Sequence, residues 1–262
     1  MTSHEDGYGT RLLRINSRYR STDSVSNTNF HYEVPSSEVS ESVYRVCMTR
    51  LSCLYLFPNV DHYNNTFRFA SGGMLHTYTM PVGQHTVEQV VQLLTDSTVG
   101  LHMTVTFSEL TRLISFEAKT TEVTVTAYST NTLAPLLGFY KSTVPFVFPV
   151  GVSTPLPCVP DLGGPQVIYI ESPTLASSNC LDSALGSQGG YLALLDQIPL
   201  RNTPYGFVIA WEANDLVSSD VDYTSSQSLR RIHIKVTDGH GHVLSLPLNQ
   251  EVDIVVKLFY KK

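Results

Sequence analysis

The chain has 262 residues, of which only 15% are charged, and its formal net charge is −6. A chain of this length buries a substantial core, and its many Thr, Ser, Val and Tyr residues favour strands over solvent-facing helices. Binding to a phosphate backbone needs clustered Lys and Arg, so we expect the folded body to make no direct contact with nucleic acid. There is no run of about 18 apolar residues, which predicts no membrane span, and the polar N-terminus predicts no secretory signal peptide.

Residues 1–29 are rich in Ser, Thr, Asn and Arg and contain few apolar side chains. Because such a composition cannot pack a core by itself, we predict an N-terminal arm. The arm could contact acidic groups on a neighbouring protein or a genome through its arginines, or it could be a solvated tail held by one short strand. Nearby acidic residues nearly cancel the positive charge, which favours contact with protein. The candidate contact residues are Arg11, Arg14, Arg18 and Arg20.

Two strands are predicted after the arm, at residues 30–34 and 43–57. The second is apolar on both faces toward its end, which indicates a strand that is covered on both sides. Pro58 and Asn59 then break the extended pattern. The segment 30–59 is therefore predicted to be the first part of a β domain.

The pattern changes between residues 60 and 143, where a helix is predicted among short strands. Thr86 is the expected helix N-cap, Gln89 occupies the capping-box position, and apolar residues follow at helical spacing up to Ser97. A single helical turn is also predicted before Gly138, because glycine commonly ends helices. We therefore predict that 60–143 is a small α+β subdomain inserted into the β domain.

The β domain is predicted to resume at residue 144 and to continue to residue 262. Its first stretch, 144–165, holds six of the chain's fourteen prolines and is predicted to be an extended loop. Six strands are expected beyond this loop, at 166–171, 191–198, 206–211, 231–237, 243–248 and 252–260.

The clearest strand pattern lies in the last three of these runs. Ile232, Ile234 and Val236 alternate with polar residues, and the segment 238–241 supplies two glycines for a tight hairpin. We expect the three runs to be adjacent strands of one antiparallel sheet, with the last strand well buried. Eight strands outside the insert predict an all-β fold, a single jelly roll of two facing sheets, although a fibronectin-like sandwich fits the spacing almost as well.

No catalytic constellation, cofactor motif or metal-ligand spacing stands out, so we expect neither an enzyme nor a resident cofactor or metal. His240 and His242 lie in the predicted hairpin turn, where turn chemistry explains them better than metal binding. Asp215, Asp220 and Asp222 lack the glycine turn of a calcium loop. The four cysteines show no CxxC or Cys/His spacing, which predicts buried free thiols.

Six short motifs occur in order along nearly the whole chain. They are Ile15-Asn16-Ser17-Arg18-Tyr19-Arg20 followed by Asn29-Phe30, Leu56-Phe57-Pro58-Asn59 with Tyr63-Asn64, Gly83-x-x-Thr86, Leu137-Gly138-Phe139, Ile168-Tyr169-Ile170-Glu171-Ser172, and Asp238-Gly239-x-Gly241. In this order they resemble the minor capsid (penton) proteins of virophages, Polinton-like viruses and their relatives among large DNA viruses.

The resemblance implies a single jelly roll that forms a homopentamer at the vertices of an icosahedral double-stranded DNA virus shell. Its implied partners are a double jelly-roll major capsid protein and other minor capsid proteins. It further implies a virion protein that is assembled inside the host cell, has no catalytic residues and places the arm, 1–29, beneath the shell. An outward, host-facing role for 60–143 is a further hypothesis. The alternative function is a β-sandwich attachment, carbohydrate-binding or receptor-binding module that acts as a monomer or trimer.

Overall fold

The computed structural model describes residues 8–35, 43–126, 130–176, 180–182, 190–200, 203–213, 220–222 and 229–261. The chain divides into two compact units. The first contains Met1–Phe57 and Pro165–Lys262, and the second contains Pro58–Gly164. No helix within the described residues is long and apolar enough to cross a membrane.

The described residues are mostly β, with antiparallel pairing between strands, as the sequence predicts. The strands are β1 (Tyr8–Asn16), β2 (Asn29–Glu33), β3 (Val43–Leu54), β4 (Thr66–Ser71), β5 (Met74–Thr79), β6 (Met103–Ser108), β7 (Leu113–Ala118), β8 (Val123–Val125), β9 (Phe146–Phe148), β10 (Thr154–Pro155), β11 (Val167–Glu171), β12 (Cys180–Asp182), β13 (Gly190–Leu192), β14 (Leu194–Pro199), β15 (Val208–Glu212), β16 (Asp220–Asp222), β17 (Arg231–Thr237) and β18 (Asp253–Lys261). The helices are α1 (Val87–Thr95), α2 (Thr98–His102) and α3 (Ala134–Leu137).

Two antiparallel sheets form the first unit. The first sheet has the order β1-β18-β3-β15, with β16 also paired to β3, and the second sheet has the order β14-β11-β17-β2. The short strands β12 and β13 pair with each other. Apart from β16, the two sheets contain eight strands. Along the chain, the first pairs with the eighth (β1 with β18), the second with the seventh (β2 with β17), the third with the sixth (β3 with β15) and the fourth with the fifth (β11 with β14). The strand pairs are therefore nested.

The N-terminal segment is a strand from Tyr8 onward, so the prediction of an arm that packs no core is wrong for this part of 1–29. β1 pairs with β18 over nine positions. Leu13 and Ile15 are buried in the core, with exposed fractions of 7% and 0%. Alternate residues on a strand face one side of the sheet, so Leu13 and Ile15 anchor β1 to the core, whereas Leu12 on its other side is exposed.

The C-terminal runs differ from the predicted three-stranded sheet. β17 is a strand as expected, and Ile232, Ile234 and Val236 are all fully buried. The predicted strand at 243–248 is only a single bridge, from Val243 to Thr237. β17 and β18 lie in different sheets, because the long connection between them can cross from one sheet to the other. The last strand is well buried, as expected, since it has a paired strand on each side.

The second unit contains two small antiparallel sheets, with orders β5-β4-β8-β9 and β10-β7-β6. The predicted helix is α1, and Thr86 and Gln89 form the expected capping box. α2 was not predicted. The unit extends past the predicted end of the insert at residue 143, because β9 and β10 pair with β8 and β7 instead of forming a loop of the first unit.

Gly138 closes α3, as predicted, and adopts a left-handed conformation with φ of 107°. The backbone N–H of Cys158 donates to the Gly138 carbonyl oxygen at 3.1 Å. A Cβ at position 138 would lie 2.1 Å from the carbonyl oxygen of Cys158, so only glycine fits without displacing the backbone. The proline-rich segment is therefore held against the end of α3 within the second unit.

We expect Ile15→Ala to lower the free energy of unfolding by about 2–5 kcal/mol, because it leaves a cavity in the core of the first unit. Leu12→Ala is the matched control, since Leu12 lies on the same strand but is 67% exposed, and its effect should stay within about 0.5 kcal/mol. Chemical denaturation of the full chain measures both values. Equal effects of the two changes would contradict the burial of β1.

Candidate interaction surface

Residues along the strands of the first sheet of the first unit point alternately toward the core and away from it. Along β18, Ile254, Val256 and Leu258 are buried, whereas the residues between them are half-buried. We call the outward residues of the first sheet the outer face. It comprises Leu12, Arg14, Arg45, Arg50, Ser52, Leu54, Val208, Ala210, Glu212, Asp253, Val255, Lys257 and Phe259.

Apolar side chains make up a large part of the outer face. Leu12 is 67% exposed and Val208 is 55% exposed, and Val255 and Phe259 are half-buried. Phe207, which immediately precedes β15, is 63% exposed. A patch that mixes such residues with arginine has the composition of protein–protein interfaces.

The charged side chains of the outer face are largely paired with one another. Nε of Arg14 donates to a carboxylate oxygen of Asp253 at 2.9 Å, and this contact raises the pKa of Arg14 above its usual value. Arg50 lies 3.5 Å from the carboxylate of Glu212. Covering the face would therefore leave these charges beside an opposite charge, whose attraction offsets part of the desolvation cost of burying ionised groups.

The four arginines predicted as contact residues all lie against their own chain. Arg11 stacks over the ring of Tyr260, with its Cζ atom 5.2 Å from the ring centroid. Arg14 pairs with Asp253 on the outer face. Arg18 lies 3.8 Å from Glu251, and Arg20 donates to the Ser17 carbonyl oxygen at 3.0 Å. The structure thus brings only Arg14 onto the outer face, whereas Arg11 packs against the end of β18 and Arg18 and Arg20 hold the turn after β1.

The motif at 15–20 has a structural explanation. Ser17 is fully buried; its N–H donates to the Val252 carbonyl oxygen, and its Oγ accepts from the Val252 N–H, both at 2.9 Å. Asn16 caps the following 3₁₀ turn through its side-chain oxygen. Tyr19 is 71% exposed on this fixed turn. The motif at 15–20 therefore mainly joins the turn after β1 to the residue just before β18.

The motif that contains Asn59 also has a structural role, in the second unit. The Asn59 side chain donates to the carbonyl oxygens of His85 and Leu162 at 2.8 and 2.9 Å, and it accepts from the His85 N–H at 2.9 Å. The side-chain amide of Asn64 donates to the Asn59 carbonyl oxygen at 3.0 Å. A buried asparagine whose amide is used in this way holds three loop segments together.

The histidines of the 238–242 turn also have local roles. Asp238 accepts from the backbone N–H groups of His240 and His242 at 2.8 and 2.9 Å, as turn-forming aspartates do. No group of three or more His, Cys, Asp or Glu side chains within the described residues could hold a metal ion. Asp215 lies outside the described residues.

Two of the cysteines match the predicted buried free thiols. Cys47 and Cys53 are buried and form no disulfide, and burial raises the pKa of Cys53 to about 12, so this thiol stays protonated. Cys158 is free but exposed, unlike the prediction.

One buried acid in the second sheet was not anticipated. Asp196 on β14 is only 5% exposed, and its Oδ2 has no hydrogen-bond partner. Burial raises the pKa of Asp196 above its usual value, although a hydrogen bond from the Gln197 N–H partly opposes this. The raised pKa means that the folded first unit favours the neutral carboxyl.

We expect Asp196→Asn to stabilise the first unit at about pH 7, because it removes a buried charge. Since the folded-state pKa of Asp196 is raised, the contribution of this carboxyl to stability is most favourable below the unfolded pKa of about 3.9 and falls as the pH rises through the folded pKa. The advantage of the variant should therefore shrink toward about pH 4. Thermal melts across this pH range test this, with exposed Glu212→Gln as the control. A difference that does not vary with pH would contradict the expectation.

Comparison with known proteins gives a likeness in structure but none in sequence. No protein-family profile matches the chain, and no curated protein sequence matches it. Among solved structures, the chain is similar in fold to the crystal structure of the selenomethionine-labelled mavirus penton protein. The TM-score is 0.50 at 10% sequence identity, and the match covers 97% of this chain and 100% of the other.

Proposed function

We propose that the protein is a structural minor capsid protein that forms the pentameric vertex, or penton, of an icosahedral double-stranded DNA virus shell. The observation that carries the proposal is the likeness in fold to the mavirus penton protein, which spans nearly the whole of both chains. A likeness restricted to one sandwich would be shared by many unrelated proteins, whereas this match includes both compact units.

The nested strand pairing supports the finer proposal that the first unit is a single jelly roll. A jelly roll is a double sheet of eight strands, and it arises when one long antiparallel ribbon is rolled up. In such a ribbon the first strand pairs with the eighth, the second with the seventh and so on inward, as β1, β2, β3 and β11 do with their partners. The resulting orders, β1-β18-β3-β15 and β14-β11-β17-β2, agree with a rolled ribbon.

The outer face supports the proposal that copies of the chain assemble side by side. In a ring of five, each subunit presents two different surfaces to its neighbours, and both become buried. The outer face mixes exposed apolar residues such as Leu12 with ion pairs such as Arg14–Asp253. Covering such a surface costs less than covering one with unpaired charges, because Arg14 and Arg50 keep their carboxylate partners.

The remaining parts of the proposal follow from the vertex role. The partners would be further copies of the chain, a double jelly-roll major capsid protein and other minor capsid proteins, and the location would be the virion. The role is structural and not enzymatic. No cofactor is required by a protein that acts through its surfaces.

Native mass spectrometry and negative-stain electron microscopy of the full chain test the assembly. We expect complexes of five subunits, with fivefold class averages, for the chain alone or after coexpression with the major capsid protein of the same virus. A stable trimer, or a chain that stays monomeric under both conditions, would contradict the proposal. The trimer would favour an attachment or receptor-binding module.

A matched pair of variants tests the outer face. Leu12→Lys should reduce the fraction of pentamer because it places an unpaired charge in the contact. Leu110→Lys is the control, since Leu110 is 94% exposed in the turn between β6 and β7 of the second unit. Both proteins should keep wild-type melting temperatures. Equal loss of pentamer from both variants would argue against the outer face as the contact.

A further inference from the structure

Each compact unit contains a pair of contacting histidine rings, and in each pair one histidine lies on an edge strand. In the first unit, His31 on β2 stacks on His233 of β17, with ring centroids 4.3 Å apart and an interplanar angle of 30°. In the second unit, His76 on β5 contacts His102 at the end of α2, with centroids 4.2 Å apart. Among the described strands, β2 pairs only with β17 and β5 only with β4.

The surroundings of the first pair disfavour a positive charge on His233. Nε2 of His233 bonds to Oδ1 of Asn29 at 2.8 Å, and Nδ1 of His31 is buried without a hydrogen-bond partner. Two cations on β17, Arg231 and Lys235, act on His233 and disfavour its protonation. The two neighbouring carboxylates, Asp23 and Glu33, are both paired with Arg231.

The second pair is set in an aromatic environment. The ring of Phe69 stacks on His76 at 5.1 Å and meets the edge of His102 at 5.5 Å. Nε2 of His76 is buried without a hydrogen-bond partner. The nearby charged group is Lys119, whose backbone N–H donates to the His102 carbonyl oxygen and whose Nζ donates to that of Gly100. Burial and the neighbouring His76 lower the pKa of His102, which favours its neutral imidazole.

We propose that these histidine pairs are acid-responsive latches, which hold the edge strands β2 and β5 in their sheets at neutral pH and release them on acidification. Neutral imidazoles can stack, whereas two protonated rings at this separation repel each other. An edge strand has only one neighbouring strand, so it depends more on such side-chain contacts than a central strand does. The proposal concerns the chain itself and does not rest on the vertex function.

The direction of the pH effect follows from the electrostatics. The pKa values of His102 and His233 are lowered, mainly by burial and next by the neighbouring histidine. Because the folded state favours the neutral ring, the latch is intact above the ordinary histidine pKa of about 6.5. As the pH falls below this value, the unfolded state binds more protons than the folded state, and stability is lost down to the folded pKa. The relevant window is the one in which histidine is the main titrating side chain.

Hydrogen exchange of the full chain at about pH 7.5 and about pH 5.5, corrected for the intrinsic pH dependence of exchange, tests the latches. We expect protection of 29–33 and 74–79 to fall at the lower pH by about tenfold more than protection of the central strands β3 and β7. His31→Gln should reduce the extra loss at 29–33 only, and His76→Gln at 74–79 only, because each removes the contact between the rings and the second cause of the lowered pKa. His240→Gln and His62→Gln, at exposed histidines of the first and second units, are the controls.

The imidazole NMR signals of the wild-type protein give a second readout that needs no variant. His233 and His102 should titrate below the ordinary histidine pKa of about 6.5. If these two rings titrate at or above that value, the proposal is overturned. It is also overturned if the acid-induced loss of protection is unchanged in the glutamine variants or is uniform across each unit.

Discussion

The pairing of β1 with β18 joins the two ends of the described chain along nine positions, from Tyr8 opposite Lys261 to Asn16 opposite Asp253. This contact fixes the register of the outermost strand pair, and the other pairs of the first unit lie inside it. It is reinforced where β1 ends, because Ser17 and Val252 exchange two hydrogen bonds there. A contact between residues so distant in sequence is entropically costly to form, so its stability depends on the buried side chains of both strands.

The nested arrangement explains how the chain accommodates a second compact unit of 107 residues, Pro58–Gly164. The insertion lies between the third and fourth strands of the nested set, β3 and β11. An insertion at this point lengthens one connection and leaves every strand pair of the first unit possible. The second unit has its own core and its own hydrogen bonds at Asn59. Each described sheet contains strands of one unit only.

Local patterns in the sequence predicted the elements better than their partners. The alternation in β17 and the capping box at Thr86 are properties of neighbouring residues, and both were found as predicted. β1 was missed because only Leu13 and Ile15 face the core, while arginines occupy positions between and beside them. The separation of β17 from β18 into two sheets depends on pairing between distant segments, which no local alternation reveals.

The outer face likewise could not be predicted from local sequence patterns. Four arginines in a polar segment suggested an arm that meets a partner, but Arg11 and Arg18 find Tyr260 and Glu251 at the other end of the chain. The outer face could not be recognised without the register of β1 on β18, which sets Arg14 beside Asp253. The ion pairs of the outer face join residues on different strands, so they depend on strand pairing that the sequence alone does not give.

Buried ionisable groups give the first unit two pH responses of opposite sign. Asp196 favours the neutral carboxyl, so its burial costs stability as the pH rises, whereas His233 favours the neutral imidazole and costs stability as the pH falls. Both groups lie in the second sheet, but on different edges, since Asp196 is on β14 and the His31–His233 pair joins β17 to β2. Acid therefore acts on the two edges in opposite directions, and the edge held by the histidines is the one that it weakens.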